Sequence, residues 1–298
     1  MINPYKRQDI FRCHHDSHNG FGDVVSAYHV MKNKRCFPNG CVYFRWRCSL
    51  LDKGNPCIRG YNHIGRNCPG CRYYSEDKEM NRPEVEVDAR VYEDFETELR
   101  AFEDWVRDHT GRRVTFYGRI HSVKPRFRGA SDGKSQRLSF HGFLLVFQEG
   151  YIGKDHFEDF CYATVSRGLQ GRWQLRRGDV VEFEGDFGLD RGRLVLSKLN
   201  RIEVVERGDG EVWTESQAHV ARATGTVFAS QEEMCVACPR GALVDMVDET
   251  DGRHYRRMFC MEGMPDPALC TYQRGSLLQI EVCLEDRERL RRMNGAGR

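Results

Sequence analysis

The sequence predicts a multidomain, mainly β protein: a central five-stranded barrel, an acidic helix before it, and cysteine-rich metal modules at both ends. Three observations predict it. Seven of the thirteen cysteines lie within residues 13 to 71, five within 235 to 283, and only Cys161 between. Apolar residues recur in steps of three and four over residues 91 to 106. From residue 112 they alternate in steps of two.

Composition bounds the reading. The chain has 298 residues, 40% hydrophobic and 30% charged, with a net charge of +2. That is enough apolar surface for two or three folded modules. The first residues, MINPYKRQDIF, lack the apolar run of a signal peptide, and no stretch reaches the roughly 18 apolar residues of a membrane helix. The expectation is therefore a cytoplasmic protein without a membrane partner. In a reducing compartment an odd number of cysteines fits a disulfide framework poorly and fits metal ligation better.

The N-terminal module, residues 1–81, contains CIRGYNHIGRNCPGCRYY, which is too rich in Gly, Asn and Arg to order itself by burial. Cys68-Pro-Gly-Cys71 is its strongest element, because two intervening residues let both thiolates reach one ion. Cys57 is the expected third ligand, with Cys48 or Cys41 the fourth. Cys13, His14, His15, His18, Cys36 and His63 are the material for a second site.

Residues 82–111 follow, with ten acidic and four basic side chains. Val91, Phe95, Leu99, Phe102 and Val106, with Trp105 beside them, define one helical face, and Gly111 suits a left-handed stop. The bland reading is a helix packed on a neighbouring module.

Residues 112–207 supply five strands, VTFYGRIHSV, LSFHGFLLVFQ, FCYATVS, DVVEFEGDF and GRLVLSKLNRIEVVE. The first alternates Val114, Phe116, Gly118 and Ile120 against Thr115, Tyr117, Arg119 and His121, so the former set is expected inside a barrel that coils sharply at Gly118. VTFYGRI, LRRGDVVEFEGDF and GRLVLSKLNRIEV resemble the first, fourth and fifth strands of the OB-fold superfamily. The resemblance implies a ligand cleft on strands two and three, flanked by the loops joining strands 1-2 and 4-5.

Eight Lys or Arg stand against one acidic residue across 112–137, and the segment KPRFRGASDGKSQR is expected to be a flexible basic loop. Arg119, Lys124, Arg126, Arg128, Lys134, Arg191 and Arg193 are the expected phosphate contacts. Phe127, Phe143 and Tyr162 are the expected stacking rings, an arrangement single-strand binders use. Inward filling of the barrel competes for the same aromatics.

Residues 208–298 hold Cys235-x2-Cys238, a strand from Ala242 to Asp248, a turn at Asp251-Gly252 and a return strand ending at Cys260, with Cys270 beyond. This resembles a zinc ribbon, and implies Cys235, Cys238, Cys260 and Cys270 as ligands; the second pair is spaced more widely than in a ribbon. Gly241 suits the bend after the knuckle. The segment LEDRERLRRMNGAGR reads as a charged, frayed tail.

The function expected is a metal-containing protein that binds nucleic acid, single-stranded DNA or RNA, through the OB barrel, with zinc in the cysteine modules. Two alternatives accompany it. One is an iron-sulfur redox protein using the same cysteines. The other follows a resemblance of module, helix and barrel to zinc-ribbon/OB accessory proteins that carry acyl-coenzyme A. No P-loop, GxSxG, HExxH or deaminase motif occurs, so the reading leans away from an enzyme.

Overall fold

The computed structural model describes residues 1–15, 18, 23–133, 135–228, 235 and 238–270. The protein is mainly β. It groups into two compact units: residues 1–108 with 189–192, and residues 109–188 with 193–298. The expected acidic helix thus falls almost wholly in the first unit. The expected barrel and C-terminal module share the second.

In the first unit, β1 (Phe11–Arg12) pairs with β2 (Val24–Val25) and later with β5 (Glu84–Val85), both antiparallel. Strands β3 (Cys41–Cys48) and β4 (Tyr74–Asn81) form an eight-residue antiparallel ladder from Cys41↔Asn81 to Cys48↔Tyr74, closed by the long loop 49–73. Helix α1 (Ala89–His109) begins where Asp88 Oδ1 accepts the Val91 N–H, an N-cap contact. It ends before Gly111, whose φ is +77°. Phe95, Leu99, Phe102 and Val106 are its buried stripe, as the three-and-four spacing predicts. Phe11 meets Phe95 edge-on, and Tyr5 does the same to Phe102.

In the second unit, β6 (Arg113–Ser131) is followed by β7 (Gln136–Phe147), the small hairpin β8 (Gly150–Ile152) and β9 (Asp155–Phe157), and β10 (Cys161–Val165). Helix α2 (Arg167–Trp173), β11 (Val180–Asp190) and β12 (Arg193–Glu206) come next. β6 pairs with β7, β7 with β10, β10 in parallel with β12, β12 with β11, and β11 again with β6, so the pairings run in a closed circuit. Phe116, Phe147 and Phe183 fill its interior, with ring centroids 4.5 and 5.1 Å from Phe116.

Helix α3 (Glu215–Thr224) starts with a capping box between Thr214 and Gln217. It leads to β13 (Thr226–Phe228), β14 (Gly241–Asp248) and β15 (His254–Cys260). β14 pairs antiparallel with β15 and parallel with β6, at Asp245↔Arg128 through Asp248↔Ser131. The C-terminal hairpin therefore continues the sheet that β6 belongs to.

Two expectations need correcting. The basic segment 124–137 is not a flexible loop. Residues 124–131 are strand, and the connection is a tight turn in which Asp132 takes the Ser135 N–H and hydroxyl. The sharp change in β6 is also not at Gly118. Register shifts lie between Ile120 and Ser122, where β6 carries an extra residue, and between Pro125 and Phe127, where the extra residue is on β7 between Phe140 and Phe143. Across the first shift the inward set moves from Phe116, Gly118 and Ile120 to Val123, Pro125, Phe127 and Gly129. The strand's phase resets, and the residues after it turn over.

Candidate nucleic-acid interface and thiol centres

The first register shift decides which side chains of β6 face outward. Phe127 is 1% exposed and lies between Phe140 and Phe259, with centroids at 6.1 and 5.3 Å. Phe143 is equally buried, edge-on to Phe140. Neither ring is available to a base, which corrects the stacking assignment for both. Lys124 is buried as well, and its Nζ donates to the Cys238 carbonyl oxygen at 2.7 Å. Burial pushes its ammonium down to about 8. It is a structural cation, not a phosphate contact.

The outer face of the β6–β7 hairpin carries Arg126 and Arg128 on one strand and Ser139 and His141 on the other, with Arg128 opposite Ser139. Arg126 Nη2 donates to the His141 carbonyl at 3.1 Å, while its buried Nε has no hydrogen-bond partner among the described residues. Ser139 Oγ and His141 Nε2 are 3.0 Å apart. Arg167, in the first turn of α2 after the Ser166 N-cap, donates to the Phe140 carbonyl at 2.8 Å and sits over the Phe140 ring. The His141 imidazole is held below its ordinary value, first by burial and then by Arg128, Arg126 and Arg167. Arg167 is also paired with Glu215 at 2.9 Å, which leaves Arg126 and Arg128 as the cations of this face. Such a surface favours an anion that presents several oxygens.

The other expected contacts fall elsewhere. Arg119 is exposed but holds both Glu206 oxygens, at 3.1 and 3.0 Å, and the Gly178 carbonyl. Arg193 stands over the half-buried Tyr162 ring at 5.8 Å. Arg191 is exposed in the turn between β11 and β12, with φ +50°. Lys134, Cys283 and the charged tail lie outside the described residues.

Sequence reasoning missed Ser139, His141 and Arg167. The first two were legible as the outward alternates of Phe140, and Arg167 follows a Ser that caps a helix. It also missed a groove of about 430 Å³ between α3 and the start of β14. Trp213 lines that groove beneath Arg240, whose guanidinium is 5.7 Å from the indole.

The cysteine modules have knuckle-like backbones. In the second unit, Cys238 Sγ accepts the Arg240 N–H at 3.4 Å and its carbonyl accepts the Gly241 N–H at 3.0 Å. A Cβ on Gly241 would collide with the Cys235 carbonyl oxygen, so only glycine lets the strand start so close to the knuckle. Cys235, Cys238, Cys260 and Cys270 all line one cavity of about 20 Å³.

In the first unit, Arg59 N–H donates to Cys57 Sγ and Gly65 N–H to Cys68 Sγ, each at 3.4 Å. Amide hydrogen bonds from Arg59 and then Tyr61 draw the Cys57 thiol below its ordinary value. Arg59 Nη1 also donates to the Asn67 carbonyl, tying the Cys57 turn to the Cys68 turn. Cys48 faces Tyr74 across the ladder, and the Tyr74 N–H donates to the Cys71 carbonyl. These contacts gather Cys48, Cys57, Cys68 and Cys71 at one end of the β3–β4 hairpin.

Among the described residues, no three His, Cys, Asp or Glu side chains stand at closed metal-binding spacing. The donor chemistry, the N–H···S contacts and the shared cavity nonetheless fit a thiolate-bound ion. No helix among the described residues is long and apolar enough to cross a membrane. Searches against family models, curated proteins and solved structures return no match to this chain.

Proposed function

We propose that this chain is a metal-containing nucleic-acid-binding protein that holds single-stranded DNA or RNA on an OB-type barrel, with zinc in its cysteine modules, in a reducing compartment such as the cytoplasm. The barrel reading is supported by the order of pairing. Strands one, two, three, five and four of an OB fold close on strand one, with three and five parallel and a helix between three and four. Here β6, β7, β10, β12 and β11 follow that order, with α2 between β10 and β11.

The observation that carries the function is the pair Arg126 and Arg128 on the outer face of the first two barrel strands, beside Ser139 and His141. Arginine forks suit phosphate oxygens, and Arg128 stands exposed beside the part-buried Arg126. Tyr162 under Arg193 on β10, and Trp213 under Arg240, are the rings on which bases stack.

Zinc rather than an iron-sulfur cluster is supported by the ribbon-like setting of the C-terminal thiols, a knuckle at Cys238 followed by the hairpin of β14 and β15. Cys235, Cys238, Cys260 and Cys270 would hold one ion, and Cys48, Cys57, Cys68 and Cys71 another. Bound zinc supplies the cross-link that orders these segments; it needs no catalytic part.

The test is anisotropy of labelled single-stranded and duplex oligonucleotides over a range of salt. Arg126→Ala/Arg128→Ala should weaken single-strand binding for every sequence and reduce the log-log salt slope by about 1.4, at about 0.7 per lost phosphate contact. An unchanged slope and affinity in the double variant overturn the interface.

A further inference from the structure

The β3–β4 hairpin divides its side chains by parity. On one face Tyr43 donates its hydroxyl to Glu79 at 2.6 Å, Arg45 pairs with Glu79 at 3.1 Å, and Arg47 lies 3.2 Å from Asp52 and 3.6 Å from Asp77. The arginines there are spent on carboxylates. The other face carries Val42, Phe44 and Trp46 on β3, opposite Met80, Lys78 and Glu76 on β4. Val42 is 54% exposed, Phe44 58%, Trp46 42% and Met80 74%. Apolar side chains scattered singly on a surface need no explanation, but four on one ribbon face, rimmed by polar groups, mark a surface kept for a partner.

Size narrows the partner. Two strands of eight residues present a face of roughly 26 Å by 10 Å, about 260 Å², whereas each member of a stable protein pair covers about 800 Å². The ribbon face is too small to hold a second copy of the chain. It suits a short run of flat groups, since exposed rings on an outer sheet surface stack two or three bases. Phe44 and Trp46 are two residues apart, which sets their Cα atoms about 6.7 Å from each other, so a base laid on each belongs to neighbouring nucleotides of an unstacked strand.

Charge selects the same partner. The loop 49–73 closes the hairpin at the Trp46 end and holds Lys53, Arg59, Arg66 and Arg72, all exposed, against Asp52 alone. Asp52 is the carboxylate already taken by Arg47. On the face itself Lys78 stands opposite Phe44, and Glu76, opposite Trp46, accepts the Tyr74 hydroxyl. The rings continue towards the loop: Trp46 meets Tyr74 at 6.5 Å, and the Arg72 guanidinium lies over the Tyr73 ring at 4.6 Å. Rings leading into a basic loop match a polyanion that carries flat bases.

We propose that the outer face of the β3–β4 hairpin is a second single-strand surface, on which Phe44 and Trp46 stack bases while Lys53 and Arg66 of the adjoining loop meet phosphates. It belongs to the first unit, whereas Arg126 and Arg128 belong to the second. The ligand class is that of the proposed function, but the residues are different, so either surface can fail alone.

The experiment is anisotropy of labelled oligothymidylate and oligouridylate with the full-length protein over a range of salt. Phe44→Ala/Trp46→Ala should weaken binding by about 30-fold or more, as two lost stacks do, with the log-log salt slope unchanged because no charge is removed. Phe44→Tyr/Trp46→Phe keeps both rings and should bind as wild type does. Lys53→Ala/Arg66→Ala should lower the slope by about 1.4, at about 0.7 per lost phosphate contact. Oligonucleotide should also quench tryptophan emission, and Trp46→Phe should remove part of that quench; this measurement decides if the alanine variant does not fold. Wild-type affinity in Phe44→Ala/Trp46→Ala, or a quench that Trp46→Phe leaves intact, overturns the inference, and the barrel interface then stands if Arg126→Ala/Arg128→Ala still weakens binding. An alanine variant that turns a dimer into a monomer by light scattering, with affinity for the oligonucleotides kept, overturns it in favour of contact between two copies. Wild type that binds neither probe overturns both surfaces.

Discussion

Gly241→Ala tests the C-terminal thiol centre without touching a ligand. The added Cβ would fall roughly 1 Å inside the shortest separation that Cβ atoms tolerate, against the carbonyl oxygen of Cys235. That atom is backbone, so no rotamer change relieves the overlap. Either β14 or the knuckle must move by about an ångström, and the second choice carries a thiol away from an ion that binds sulfur at about 2.3 Å. Overpacking of this kind costs about 1–3 kcal/mol. For a unit of this size, each 1 kcal/mol is worth about 2–4 °C in melting temperature.

Gly252→Ala provides the contrast. Gly252 has φ +69° and open space around it, so alanine there costs backbone strain of about 1 kcal/mol with nothing to displace. Melting curves and zinc retention against a competing chelator should separate the two. Both variants melt earlier, and only Gly241→Ala releases zinc more readily, by about 10- to 100-fold as when outer partners of a metal site are lost. Equal zinc retention in the two would refute the argument that the strand start and the knuckle are interlocked.

Three other outcomes are expected. Phe127→Ala should destabilise the second unit by about 3–5 kcal/mol in urea unfolding, because its ring is enclosed by Phe140 and Phe259; a near-neutral effect would return it to the surface. Asp179 is fully buried and accepts from the Arg176 and Gly208 N–H groups and from Arg207. Asp179→Ala leaves those donors unpaired and should cost about 3–5 kcal/mol in the same assay. His29 is held down to about 4, by burial first, then by His18 and Lys34. Its folded value lies below its unfolded one, so its contribution is complete above about pH 6.5 and is lost as pH falls towards 4. Thermal melts of His29→Asn between pH 7 and 4 should show a flatter profile than wild type, and a parallel profile would contradict the assignment.

Much of the architecture was legible where local pattern and final environment agree. The stripe Phe95, Leu99, Phe102 and Val106 reads as a helix because one partner surface buries it. The hairpin Gly241–Cys260 reads equally well, turn included. What failed was parity. One bulge in β6, between Ile120 and Ser122, inserts a residue, so counting by twos from Phe116 puts Phe127 on the wrong face. The segment 124–131 read as a loop because its charges masked an inward set of Pro125, Phe127 and Gly129. Cys41 and Cys48 could not be told apart by spacing; only the ladder that puts them at opposite ends does so. Helix α3 was missed although Thr214-x-x-Gln217 announces it.

The sharing of β6 bears on how the molecule can be dissected. A fragment cut at residue 207 would keep every strand of the closed circuit, and by sequence it looks self-sufficient. It would also strip Phe259 from Phe127 and leave the main-chain donors and acceptors that Arg128 through Ser131 now share with β14 facing water. Such an uncovered edge invites other chains to dock there, so the excised piece should be prone to self-association where the intact chain is not.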